Sequence, residues 1–292
     1  MSVEPTTPSA FELTSDVDGL RLRGYCWSPP RAPRAAVAIS HGAAEHSLRY
    51  GRVAAALNAA GIEVWSIDQR GHGQSPGPNG LGDSGDAGWN GLVADVGQFV
   101  AHVREARPTI PVGLFGHSMG SFAAQQNVLD HSDAIDFLVL SGSRAFELPA
   151  PGPEPEAFTP NAAFEPARTP YDWLSRDEAE VDAYIADPLC GFETQAGRRE
   201  TAAFDRARIA DPAEFAAIRP DLPILLLAGD QDPINRGMAG LHLLEERLRA
   251  AGVVRLDTQY YVGGRHEMLN ETNRGEVTAN LVGWVNGVVG AD

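Results

Sequence analysis

Residues 11 to 15 and 20 to 27 alternate apolar with polar positions around Asp18-Gly19, a pattern that predicts a β-hairpin. Short unbroken apolar runs at 35–40, 62–67, 111–115, 137–140 and 224–228 predict strands covered on both faces, and 255–262 predicts a further strand. Between them the apolar period lengthens to that of a helix. Val53, Ala56, Leu57 and Ala60 mark a helix over 49–60 that stops at Gly61, and Val93, Val96, Phe99, Val100 and Val103 mark one over 92–107 that ends before Pro108. A helix is predicted at 121–130, another at 238–251 with Leu241, Leu244 and Leu248 inward, and a last one at 271–289 with Val277, Leu281, Trp284, Val285 and Val288 on one face. Strands alternating with helices imply an α/β fold: a mainly parallel sheet with helices on both faces, whose ligands bind at the carboxyl ends of the strands.

The alternation breaks between 145 and 215, where Pro-rich segments and short helical pieces replace it. This stretch is expected to be an inserted subdomain dividing a core of residues 1–144 and 216–292. In it, Ser175-Arg-Asp-Glu178 reads as a capping box opening a helix whose apolar face is Val181, Tyr184 and Ile185. A second irregular region, 76–91, is rich in Gly, Pro and Asp and reads as loop.

Composition narrows the chemistry. The chain has 292 residues and a net charge of −16, and all 23 of its cations are arginine, so Schiff-base chemistry through lysine is excluded. Fifteen acidic residues against six arginines lie in 145–215, so nine of the excess negative charges are there. Such a molecule is not expected to bind nucleic acid or an anionic membrane through its overall field. No apolar run approaches the ~18 residues of a membrane-spanning helix, and the first ten residues carry no secretory pattern, so a cytoplasmic location is expected. Cys26 and Cys190 form no Cys-x-x-Cys pattern and the eight histidines are scattered, so neither a metal nor a disulfide framework is expected.

The run 112–115 leads into Gly116-His117-Ser118-Met119-Gly120 and then a helical stretch. That is a Gly-x-Ser-x-Gly nucleophile elbow, in which a serine at the tip of a sharp strand-to-helix turn needs small residues two positions either side. Ser118 is the candidate nucleophile. A serine hydroxyl needs a base oriented by a carboxylate. His266 follows one later strand end, whereas His131 and His242 fall within predicted helices. Of Asp230 and Asp232, which follow the preceding strand, Asp232 is preferred because it lies farther past Gly229 and reaches toward His266; Asp230 is left to the loop. The developing oxyanion needs donors, which placement assigns to the backbone N–H of Met119 and of Ala43. His117 and Met119 are read as packing or loop residues in their side chains, and 68–75 as a structural turn with Gly71 and Gly73 in special backbone angles.

Five segments, 41–50, 68–75, 116–120, Gly229-x-x-Asp232 and Gly264-Arg-His-Glu-Met268, together resemble the α/β-hydrolase fold family of monoacylglycerol lipases and bacterial lysophospholipases, often grouped with serine aminopeptidases. The insert resembles it as well, through 168–177 and 184–192, so the likeness spans nearly the whole chain. It implies Ser118 as nucleophile, Asp232 as acid, His266 as base, Ala43 and Met119 as oxyanion donors, and the insert as a cap over the acyl pocket. One departure is Ala44, where many relatives have glycine. Glu45, His46 and Arg49 fit either contacts to cap or substrate or a buried polar network, and Trp173 and Phe192 fit either a pocket lining or cap packing. The expected activity is hydrolysis of single-acyl carboxylic esters without cofactor, with an aminopeptidase-type amide hydrolase as the rival and a non-catalytic ligand sensor a more distant one. The expected partner is a small acyl ester, with at most transient membrane contact through the cap.

Overall fold

A computed structural model describes residues 7–147, 159–194 and 207–290. The stretches 148–158 and 195–206 of the expected cap lie outside the described residues. Eight strands form one sheet: β1 (Ser9–Thr14), β2 (Arg21–Trp27), β3 (Ala35–Ser40), β4 (Ile62–Ile67), β5 (Val112–His117), β6 (Phe137–Ser141), β7 (Ile224–Gly229) and β8 (Leu256–Tyr261). Their order is β1-β2-β4-β3-β5-β6-β7-β8. The predicted hairpin pairs Phe11 with Gly24 antiparallel, and β2 joins β4 antiparallel; from β4 to β8 every pairing is parallel.

Helices α1 (Gly51–Ala59), α2 (Gly88–Ala106), α3 (Met119–His131), α4 (Glu178–Ala186), α5 (Ala239–Ala250) and α6 (Arg274–Val289) connect or flank the strands. The β3, β4, β5, β6 and β7 strands are buried throughout, as their unbroken apolar runs require. Two apolar layers form, one on each sheet face. Phe99, Leu114 and Leu226 lie in the first, against α2, α3 and α5; Val37, Phe115 and Leu281 lie in the second, against α1 and α6. Each such side chain contributes roughly 1.5–3 kcal/mol by leaving water.

Four local expectations are corrected. α2 starts at Gly88, inside the expected loop, and Gly91 within it is a packing glycine rather than a loop glycine: a Cβ there would stand 2.8 Å from Arg70 Cζ. Arg70 is fully buried and its Nε donates to Asp95 on α2 at 2.7 Å. The capping box does not form. Asp177 caps α4 by accepting from Ala179 N, while the Ser175 hydroxyl donates to Asn270 O and ties the insert to the core. On α4 the inward residues are Val181 and Tyr184, and Ile185 faces solvent. The last helix begins at Arg274, since the Glu271 carboxylate is taken up by the backbone N–H groups of Arg176, Arg265 and Thr272. Phe215 in the turn Pro212–Ala217 and Ile218 just after it are buried in the first apolar layer.

Candidate active site

β5 delivers its last residues to the centre of the sheet's carboxyl edge, and the chain turns there at Ser118 with φ 50° and ψ −117°. A serine in that region is strained, and a strained backbone of this kind persists only when its surroundings over-determine it. Here they do. Ser118 N donates to Ser141 O at 2.9 Å, and Ser121 and Phe122 both donate back to Ser118 O. The flanking glycines have no room for a side chain: a Cβ on Gly116 would meet Gly120 O at 2.6 Å, and one on Gly120 would meet Ser40 O at 2.1 Å. The close approach of β3 and α3 is therefore possible only with glycine. Met119 opens α3, so its N–H has no carbonyl a turn earlier and lies at the positive end of the helix dipole.

The loop after β3 lies against the serine. A Cβ on Gly42 would come within 3.3 Å of Ser118 Cβ. His41 is buried beneath this loop. Its Nε2 accepts from Gln69 N at 2.9 Å, which leaves Nδ1–H to donate to Gly42 O at 2.7 Å. Gly42 N in turn donates to Glu45 Oε1. Ala44, the departure from the resembling family, has φ 54°. Its carbonyl accepts from Tyr184 Oη at 2.8 Å and Gly191 N at 3.0 Å, both from the insert.

β7 and β8 bring up the other two residues. Gly229 and Gly264 let these strand ends touch, since a Cβ on Gly229 would fall 2.0 Å from Gly264 O. Beyond them His266 Nδ1 and Asp232 Oδ2 stand 2.9 Å apart, both almost fully buried. Asp232 Oδ1 accepts from Ile234 N, which fixes the carboxylate. Asp230 points elsewhere and accepts from Gly263 N at 2.8 Å. Burial alone would push the His266 imidazole down, but the Asp232 carboxylate outweighs it and holds the group above the usual histidine range. His117 stacks on His266 with ring centres 4.8 Å apart, and burial, with the His266 charge beside it, pushes His117 down to about 4. It is neutral at pH 7.

Ser118, His266 and Ala43 line one cleft of about 290 Å3, together with Trp173, Tyr184 and Phe192 from the insert. Trp173 packs on His266 at 4.8 Å between ring centres, and Phe192 packs on His72 at 5.2 Å. Glu45 belongs to a buried network: it accepts from Tyr50 Oη and Arg49, and Arg49 also grips both oxygens of Glu267 at 2.6 and 2.7 Å. Although burial opposes it, the Arg49 charge holds Glu45 down at about 2. His46 bonds the insert through Asp187 rather than lining the cleft. The 68–75 turn is built on Asp68, whose carboxylate accepts from Ser47 N and Gln74 N, with Gly71 and Gly73 both at positive φ.

Two residues of the site carry little signal in the sequence. Gly142, after β6, has φ 56°, and a Cβ there would press on His266 Cε1 at 2.8 Å, so this glycine makes room for the imidazole. A glycine directly after a buried strand beside the elbow was its only trace. Glu267, next to His266, meets its partner Arg49 across 218 positions of chain, a pairing that no local spacing announces.

The serine aminopeptidase family S33 matches residues 31–273. The chain is 31% identical over 281 residues to a monoacylglycerol lipase of Mycolicibacterium smegmatis, covering 92% of this chain and 94% of that one. It is 29% identical over 279 residues to the human monoglyceride lipase, covering 93% and 87%. Among solved structures, a thermostable carboxyl esterase from Bacillus coagulans in complex with glycerol superposes with a TM-score of 0.85 at 26% identity, over 98% of this chain and 100% of that one. The chain thus belongs to the serine aminopeptidase family S33 and has the α/β-hydrolase fold of lipases and esterases.

Proposed function

We propose that this α/β-hydrolase-fold ester hydrolase acts on single-acyl carboxylic esters, monoacylglycerols first and lysophospholipid-type esters second. Ser118 attacks the ester carbonyl while His266 takes its proton, and the oxyanion is held by the N–H groups of Ala43 and Met119. His266 then returns the proton to the leaving alcohol. Water, activated by the same imidazole, frees the acid from the acyl-serine. Asp232 keeps the proton of neutral His266 on Nδ1, so that Nε2 is the basic nitrogen, and stabilises the imidazolium.

The observation that carries this reading is a strained Ser118 sharing one cleft with the buried His266–Asp232 pair. Similarity to monoacylglycerol lipases along nine-tenths of the chain supports the substrate class. An amide-hydrolysing reading needs a carboxylate for a free substrate amine. Glu178 and Asp182, acids of the insert, are 78% and 60% exposed in their side chains and associate with Arg168. Of the three glutamates that line the cleft, Glu45, Glu193 and Glu267, the first and last are paired with Arg49, which leaves Glu193 as the acid an amide reading would have to use.

Ser118→Ala is expected to lose essentially all esterase activity and all labelling by a fluorophosphonate probe, with an unchanged far-UV circular dichroism spectrum. A variant that kept the wild-type rate would remove Ser118 from the mechanism. Rates on acyl glycerols should exceed those on aminoacyl amides, and the reverse order would favour the peptidase reading.

A further inference from the structure

Where the insert meets the loop after β3, three residues distant in sequence come together. His46 comes from that loop, and Asp187 and Cys190 from the turn after α4. One ring nitrogen, one carboxylate oxygen and the Cys190 Sγ all lie within 4.8 Å of one another. His46 Nε2 stands 2.9 Å from Asp187 Oδ2, while Nδ1 of the same buried ring has no hydrogen-bond partner among the described residues. The proposed hydrolysis uses none of the three. We propose that His46, Asp187 and Cys190 form a site for a zinc-class divalent cation that pins the insert to the loop carrying Gly42 and Ala43.

The donor set selects the ion. Imidazole, carboxylate and thiolate are the ligands of zinc, whereas magnesium and calcium take oxygen donors and disfavour sulfur. Around a tetrahedral zinc, with bonds of about 2.0–2.3 Å, neighbouring donors stand about 3.3–3.6 Å apart. The His46–Asp187 contact of 2.9 Å therefore has to open slightly, and no pair of donors has to close by more than about 1.5 Å. Asp187 and Cys190 belong to one turn, in which Cys190 N donates to Asp187 O at 3.0 Å. Charge also balances. The entering cation displaces the thiol proton to solvent, and the Asp187 carboxylate and Cys190 thiolate together neutralise a dication. His46 ligates through Nε2 with its proton carried on Nδ1, and a water fills the fourth position. The strongly acidic molecule raises the local concentration of cations.

The site bears on turnover through its neighbours. His46 follows Glu45, whose carboxylate holds Gly42 N, and Cys190 precedes Gly191 and Phe192 at the edge of the cleft. A cation there fixes the insert against the candidate oxyanion loop, so occupancy restrains the cap and slows the enzyme.

The test is anaerobic titration of the full chain with Co2+. A thiolate-to-cobalt charge-transfer band in the near ultraviolet is expected, saturating at one equivalent and removed by Zn2+. Cys190→Ala should show no band while keeping the wild-type circular dichroism spectrum. His46→Asn and Asp187→Asn should weaken binding tenfold or more. Cys26, the other cysteine, lies buried in β2, so a band that survives in Cys190→Ala overturns the proposal. So does the absence of a band in folded wild-type protein. Zn2+ should slow ester turnover in the wild type and not in Cys190→Ala, and equal inhibition of the two would overturn the link to the cap. Because the band is read without substrate, failure of ester hydrolysis would leave the cation site standing.

Discussion

Two residues without glycine's freedom, Ala44 and Ser118, sit at positive φ on either side of the cleft. For Ser118 the strain belongs to the site, because only that conformation lifts the hydroxyl off the end of β5. For Ala44 the strain has no chemical use, since its task is to offer a carbonyl to Tyr184 and Gly191. Ala44→Gly is therefore expected to raise stability by about 0.5–1 kcal/mol, the left-handed cost of alanine less the extra unfolded-chain entropy of glycine. Urea unfolding of the two proteins measures it. His266 supplies the pH prediction. As the proposed base it must be neutral, so kcat/KM is expected to fall as the pH drops through its pKa. Asp232 holds that pKa above the usual value of about 6.5. In Asp232→Asn the push of burial is opposed only by the lesser influence of the Glu267 and Glu45 charges, so the acid limb should move to lower pH. The rate should also drop on the order of 10^4-fold as the tautomer is lost. A pH–rate profile of both proteins reads the two effects, and an unmoved limb would refute the assignment of Asp232.

At the scale of elements, the short helical turn Ser47–Tyr50 and α1 place Arg49 between the loop after β3 and the loop after β8. Its guanidinium joins Glu45, which holds the Gly42 end of one loop, to Glu267, which follows His266 on the other. Removing it leaves two buried carboxylates without a counter-charge, and Arg49→Met is expected to cost about 3–5 kcal/mol. The pH dependence should change with it. Glu45, depressed to about 2, contributes stability above the unfolded value of about 4.5, and that stability is lost as pH falls from there toward 2. In Arg49→Met this loss on acidification should be smaller. Chemical denaturation at graded pH checks both parts. The elements also show why boundary reading fails in places. Ser175 and Glu178 satisfy a capping pattern, yet the Ser175 hydroxyl finds a tertiary partner in Asn270 O and Asp177 takes the cap. Gly88 and Gly91 look like loop residues, yet both lie in α2, where Gly91 is a glycine because the buried Arg70 leaves no room for a Cβ.

For the whole molecule, the charge of the insert is the feature with a functional consequence. Nine of the 16 excess negative charges fall in residues 145–215, and described residues of that stretch, among them Trp173, Tyr184 and Phe192, line the cleft. A neutral monoacylglycerol should be turned over faster than an anionic lysolipid of the same chain length. Added salt should narrow the difference, because screening shortens the reach of charge. Rates on the two substrates at low and high ionic strength test it, and faster turnover of the anionic lipid would sink the expectation. Among the described residues no helix is long and apolar enough to cross a membrane.

The order of strands and helices, the elbow at 116–120 and the candidate residues after β7 and β8 were legible in the sequence. They are written in local periodicity, and in glycine and serine spacing, which act over a few residues of chain. The bond between Asp232 and His266, the Arg49 clamp and the approach of His46 to Asp187 and Cys190 were decided only by the tertiary structure. These join segments from 34 to 218 positions apart. Each depends on how parallel strands bring their carboxyl ends to one edge and on how the insert lies across that edge. A pattern with a period of two or of 3.6 residues carries no record of such distances. The same reason leaves Gly142 silent in the sequence, since only the folded chain shows that a Cβ there would strike His266.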